Sequence, residues 1–85
     1  MIITAVFDKK LESFLPQSVS ASENVLVAVR NYKGMLRNTF MVENVDDFSI
    51  YSLCTIGSET GAVLDSSKSF VCELADLFTK PVSEE

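Results

Sequence analysis

The sequence predicts an α+β domain: a small sheet of about three strands in β-α-β-β-α order, with one or two helices, completed by dimerisation. Three observations carry this. Segments 2–7 and 48–56 are rich in β-branched and aromatic residues and apolar on both alternating faces, as strands covered on both sides are. Segment 21–33 repeats its apolar positions at helical steps of three and four. Finally, 85 residues that are 47% apolar and 22% charged suffice for one globular core and not for two. A single domain over 1–80 with an acidic, flexible tail at 81–85 follows.

Residues 2–7, IITAVF, place Ile3, Ala5 and Phe7 on one face and Ile2 and Val6 on the other, and Asp8, Lys9 and Lys10 end the strand. LESFLPQSVSAS mixes the apolar anchors Leu11, Phe14 and Leu15 with Pro16 and serines, which predicts an irregular packed loop pinned by Phe14 and Leu15. Ser20 and Glu23 have the spacing of a capping box, so a helix should run over about 21–33. Ala21, Val25, Ala28, Val29 and Tyr32 form its apolar face, and Gly34 is its expected C-cap. Residues 35–44 show no clean period and are expected to form a loop or a short helical turn. There Leu36, Phe40 and Val42 should plug the edge of the core.

The second strand, 48–56, places Phe48, Ile50, Cys54 and Ile56 on one face and Tyr51 and Leu53 on the other. GSETG at 57–61 predicts a hairpin loop, with 62–64 returning antiparallel. Phe70, Val71, Leu74, Leu77 and Phe78 recur at helical steps, predicting a helix over 69–78 stopped by Lys80-Pro81. A helix between the first two strands predicts a right-handed crossover.

Composition excludes much chemistry. The chain has no histidine, hence no imidazole base, no triad and no conventional zinc site. Its three glycines match neither phosphate-binding motif. Cys54 and Cys72 sit among apolar neighbours, as buried free thiols do, with a disulfide or a reactive thiol as the alternative, and fit a reducing compartment. The N-terminal segment lacks the basic and small-residue flanks of a signal peptide, and no apolar run approaches the ~20 residues of a membrane span. No enzyme activity, cofactor, metal or membrane contact is expected.

Asp46 and Asp47, with Glu43 nearby, could bind a hard cation, but adjacent acids also commonly cap the entry to a strand. GSETG could form an anion nest, although Glu59 at its centre opposes that, and a plain hairpin loop suffices. The net charge is −5, yet five of the seven positive charges lie within residues 9–37. Arg30, Lys33 and Arg37, with Lys9, Lys10 and Tyr32, form the one basic grouping with an aromatic, a candidate track for a phosphate backbone. The plainer reading is the solvated face of an amphipathic helix.

NVDDFSIYSLCTIGSETG resembles the most recognisable block of the small non-structural proteins of microviruses, the single-stranded DNA bacteriophages, in particular the gokushovirus branch. Asp47, Phe48, Ile50, Tyr51, Leu53, Ile56, Thr60 and Gly61 carry the pattern. Upstream, VFDKKLESFLPQSVSASENVLVAVRN resembles the family's strand, proline-containing loop and helix with Ala28 and Arg30. Cys54 stands where the family usually has glycine and Gly57 where it has an acid, and 35–44 is looser than the pattern. The resemblance implies a protein made in the host bacterial cytoplasm during infection, absent from the virion, and acting in genome replication or single-stranded DNA synthesis. It supplies no catalytic residues.

Two functions follow as expectations. One is a dimeric accessory protein that binds single-stranded DNA through the basic side of the first helix. The other is an acidic dimer that binds a host or phage replication protein without touching DNA. The dimer is expected because two short helices leave apolar strand residues uncovered, with Ile2, Val6, Tyr51 and Leu53 as the candidate interface. Light scattering at tens of micromolar should give twice the monomer mass; a monomer mass would remove the dimer.

Overall fold

The computed structural model describes residues 1–37 and 39–78. Its elements are strand β1 (Ile2–Asp8), β2 (Ser13–Phe14), a 3-10 turn (Pro16–Ser18), β3 (Ser20–Ser22), helix α1 (Val25–Met35), a kinked 3-10 segment (Phe40–Asp47), β4 (Phe48–Ile56), β5 (Val63–Asp65), β6 (Ser69–Glu73) and helix α2 (Leu74–Phe78). The mixed α and β architecture is as expected, but the sheet has six strands where about three were expected. The tail 81–85 and the Lys80-Pro81 stop lie outside the described residues.

β1 and β4 form the centre of the sheet, antiparallel from Ile2↔Thr55 to Asp8↔Phe48. β2 and β3 flank the two ends of β1, and β6 and β5 flank the two ends of β4, all antiparallel. The expected right-handed crossover is therefore absent between β1 and β4. The reason lies in residues 13–22, expected to be an irregular loop, which carry the chain back along β1. That extra traverse inverts the direction in which α1 runs and β4 enters, so β4 arrives antiparallel.

This return leg is broken, and its break is mended by a side chain. On the edge of β1 away from β4, Val6 falls between β2 and β3 and has no strand partner. The Leu15 amide donates to the Val6 carbonyl at 2.9 Å, and the Val6 amide donates to Ser18 Oγ at 2.7 Å. Ser18 Oγ in turn donates to the Leu15 carbonyl at 2.6 Å. A buried backbone pair on a central strand must find partners, and Ser18 substitutes for a residue of the ladder.

Helix α1 begins later than the Ser20–Glu23 spacing predicts, because Ser20–Ser22 is held extended against Ile2–Thr4. Asn24 caps it instead, its side chain accepting from the Val27 amide at 3.0 Å. The helix also runs through Gly34, whose expected C-cap role falls to Leu36, buried against the core. Ala28, Tyr32 and Leu36 are the buried side of α1. They meet Val6, Phe48, Ile50 and Leu74, with Met41, Val45, Leu77 and Phe78 at the margin. Phe40, expected as a plug, is 62% exposed, and Met41 and Val45 take that place.

Residues 69–73 form a strand, not the start of a helix. The apolar positions fit a helix, but Phe70, Val71 and Cys72 favour extended backbone, and the outer edge of β4 needs hydrogen-bonding partners. Only 74–78 keep the helical period. β-Bulges leave Leu53 on β4 and Val71 on β6 as extra residues. The first bulge explains why Cys54 pairs with Ile3 instead of sharing the face of Ile50, as strict alternation predicts. The β4–β5 hairpin is as expected, with Gly61 at φ 74° closing the loop through its amide to the Gly57 carbonyl at 2.8 Å.

Tyr32 ties α1 to all of this. Its buried hydroxyl donates to the Ser18 carbonyl at 2.7 Å and accepts from Thr4 Oγ1 at 2.9 Å and Ser20 Oγ at 3.2 Å. Tyr32→Phe keeps the ring and removes the hydroxyl, stranding the Ser18 carbonyl and leaving the Thr4 hydroxyl only its longer contacts to Ser20. The expected loss is about 1–3 kcal/mol, read in urea as a lower midpoint with an unchanged slope; an unchanged midpoint would refute the role.

Candidate functional site

α1, the 3-10 segment and α2 all build on the face of the sheet that carries Val6 and Ile50. Side chains alternate along a strand, so Ile3, Ala5 and Phe7 point to the other face. Across the ladder, Phe7 is paired with Phe14 on β2, Ala5 with Tyr51 on β4, and Tyr51 with Phe70 on β6. Paired residues share a face, so four aromatic rings lie together on the side opposite the helices.

The rings are in mutual contact. Phe7 and Phe14 have centroids 5.0 Å apart, Phe7 and Tyr51 6.0 Å, Phe14 and Tyr51 5.7 Å, and Tyr51 and Phe70 5.7 Å. All meet edge to face, the arrangement ring quadrupoles favour. Ala5 is fully buried beneath them, Phe7, Phe14 and Tyr51 are half-buried, and Phe70 is 54% exposed. The ammonium of Lys68, from the turn before β6, stands 5.2 Å from the Tyr51 centroid and 5.9 Å from that of Phe14, a cation–π pair. Chemically this is a surface for stacking flat rings, with one positive charge upon it.

At one end of the same face an ion pair pins β6. Lys9 Nζ donates to Glu73 Oε1 and to the Asp46 carbonyl, and Ser49 Oγ donates to the same Glu73 oxygen at 2.9 Å. The hydrogen bond from Lys9 holds the Glu73 carboxyl below the usual glutamate value, assisted by Ser49 and against a smaller desolvation cost. The same bond raises Lys9 above the usual lysine value.

The basic grouping expected from sequence is divided. Arg30, Lys33 and Arg37 are exposed on α1 and just beyond it, and Arg37 lines a shallow depression with Thr39, Phe40, Val42 and Glu43. Lys9 is paired with Glu73, and Lys10 Nζ lies 3.5 Å from Asp47. Tyr32, expected to stack on a base, is fully buried and is a core residue. Its hydroxyl found three polar partners inside the protein, so its ring faces no solvent.

Of the expected interface residues, Val6 is fully buried within the chain's own core, and Ile2 packs at its margin. Val6 is thus covered by α1 and not by another copy. Tyr51 belongs to the aromatic cluster, and Leu53 is the half-buried bulge residue. Cys54 and Cys72 are free thiols, and burial, with Asp76 and Glu73 nearby, pushes Cys72 above the usual thiol value. The Asp46 and Asp47 main-chain carbonyls accept from Lys9 Nζ and the Lys9 amide, while the β1–β2 turn is capped by Asp8 Oδ1, which accepts from the Lys10 and Leu11 amides.

Sequence reasoning missed Phe7, Phe14, Phe70 and Lys68 as a group. Phe7 and Tyr51 were both visible on strands. The sequence pattern places Phe14 in a loop and Phe70 on a helix, so it gives them no face in common with Phe7 and Tyr51.

Compared with known proteins, residues 1–77 match the family model described as Phage ORF5 protein. No curated protein and no solved structure matches the chain.

The Lys9–Glu73 pair makes a pH prediction. A carboxyl held low when folded contributes stability that is fully present above its unfolded value, about 4.3. That contribution is lost as pH falls through the lower folded value. Thermal midpoints measured from about pH 5 to pH 3 should fall more steeply for the native chain than for Glu73→Gln; parallel acid limbs would show that the pair does not hold β6.

Proposed function

Since the chain belongs to the Phage ORF5 protein family, we propose that it is a phage accessory protein that binds single-stranded DNA on the open, aromatic face of its sheet. In this reading it is a non-structural protein of the microvirus, gokushovirus-type phages. It works in the host bacterial cytoplasm in genome replication or single-strand synthesis, stays out of the virion, and is not an enzyme.

The observation that supports this is the cluster Phe7, Phe14, Tyr51 and Phe70 on the face opposite the helices, with Lys68 over it. Aromatic rings on an open sheet stack unpaired bases at about 1–3 kcal/mol per base, tolerant of sequence because every base has a π face. A duplex keeps its bases stacked on each other and offers none. The net charge of −5 opposes a long phosphate track, so affinity rests more on stacking than on counterion release. Among the described residues no carboxylate is ion-paired with Arg30, Lys33 or Arg37, which leaves the basic side of α1 free to meet a longer strand. The sheet face replaces that helix as the primary contact.

The second reading, an acidic dimer that binds a host or phage replication protein, draws support from the exposed apolar residues Leu26 (80%), Val63 (60%) and Leu64 (68%). Titration of a fluorescent oligonucleotide at several salt concentrations separates the two. The first reading expects binding tighter than about 0.1 mM and a loss of about tenfold for Phe70→Thr, which removes one exposed ring and keeps a strand-forming residue. No binding, or an affinity indifferent to Phe70, favours the second.

A further inference from the structure

Resting on the single-strand reading above, we infer that Lys68 is a displaceable cation: it covers the rings in the free protein and moves to the phosphate backbone when bases take its place. Its ammonium stands 5.2 Å over Tyr51 and 5.9 Å over Phe14. A base stacked on either ring needs that same volume, so the lysine and the base exclude one another.

The lysine is free to move. Its side chain is exposed, and among the described residues no carboxylate is ion-paired with it. The nearby Asp65 carboxylate accepts from the Ser67 amide at 2.9 Å, forming the turn from which Lys68 extends. Among the described residues, the other cation at this face, Lys9, is held by Glu73. Lys68 is therefore the charge that can exchange a ring for a phosphate without breaking an ion pair.

The exchange gives the site two properties. Free, the aromatic surface carries a hydrated charge that discourages another apolar face, including that of a second copy, since two such faces would bring two ammonium groups together. Bound, the charge contributes one phosphate contact to an otherwise stacking-driven association. The occupant this face fits is a single strand, with bases against Tyr51, Phe14 and Phe70.

The test uses the full chain, an oligothymidylate of about eight nucleotides, and the variants Lys68→Met and Phe70→Thr. Methionine keeps an apolar stem and removes the charge. The expected result is a salt slope, in log affinity against log salt, reduced by about 0.7 for Lys68→Met, the value of one phosphate contact on a single strand. Phe70→Thr should weaken binding with its slope unchanged.

In parallel, the Lys68 ε-methylene protons should be shifted upfield by the rings in the free protein and lose that shift when the oligonucleotide is added. If Phe70→Thr weakens binding while Lys68→Met leaves the slope unchanged, or the upfield shift persists in the complex, the single-strand reading survives and the role of Lys68 is overturned. If the native chain fails to bind, both are overturned.

Discussion

The tertiary structure depends on how β1 finds partners along an edge that no continuous strand covers. β2 and β3 each pair with only one end of it. The Val6 amide between them would be a buried orphan without Ser18 Oγ. Ser18 is placed by its own bond to Leu15 and by the Tyr32 hydroxyl on its carbonyl. Tyr32 in turn is fully buried and spends its donor and both acceptor sites within the protein. The helix is thus fastened to the sheet by a satisfied polar network at the point where the ladder is interrupted. Apolar contact alone would let α1 slide; the hydroxyl sets its register.

Fixing α1 there determines which face of the sheet is left without a helix. α1, the 3-10 segment and α2 gather on the Val6–Ile50 side, and the return leg 13–22 brings Phe14 to the other side beside Phe7. The same leg makes β1 and β4 antiparallel, which brings Phe7 and Tyr51 within contact. β6 then adds Phe70, and the Lys9–Glu73–Ser49 contacts hold that strand in place. The aromatic surface is a product of the whole sheet, drawn from β1, β2, β4 and β6.

The parts legible in the sequence are those whose pattern is local and long enough to repeat. β1, β4 and the hairpin to β5 followed from their apolar runs and the glycine-bracketed loop, and α1 from its apolar spacing. That spacing also placed Tyr32 on the apolar side, and its neighbouring positive charges did not alter its burial. β2 and β3 span two and three residues, too short for any period, and exist because β1 supplies their partners. β6 carries a pattern compatible with both a strand and a helix, and the open edge of β4 decides between them. The bulges shift side chains from one face to the other at single residues, which alternation cannot foresee.

By itself, then, the sequence determined a mixed α and β fold, its two long strands and principal helix, the lack of histidine, and its likeness to phage proteins. Tertiary structure alone decided the direction of β4, the polar partners of the Tyr32 hydroxyl, the engagement of Lys9 with Glu73, and the meeting of Phe7, Phe14, Tyr51, Phe70 and Lys68. The division has a physical basis. Periodicity records which side of its own element a residue occupies, whereas strand sense and shared faces arise from hydrogen-bond partners supplied by distant segments.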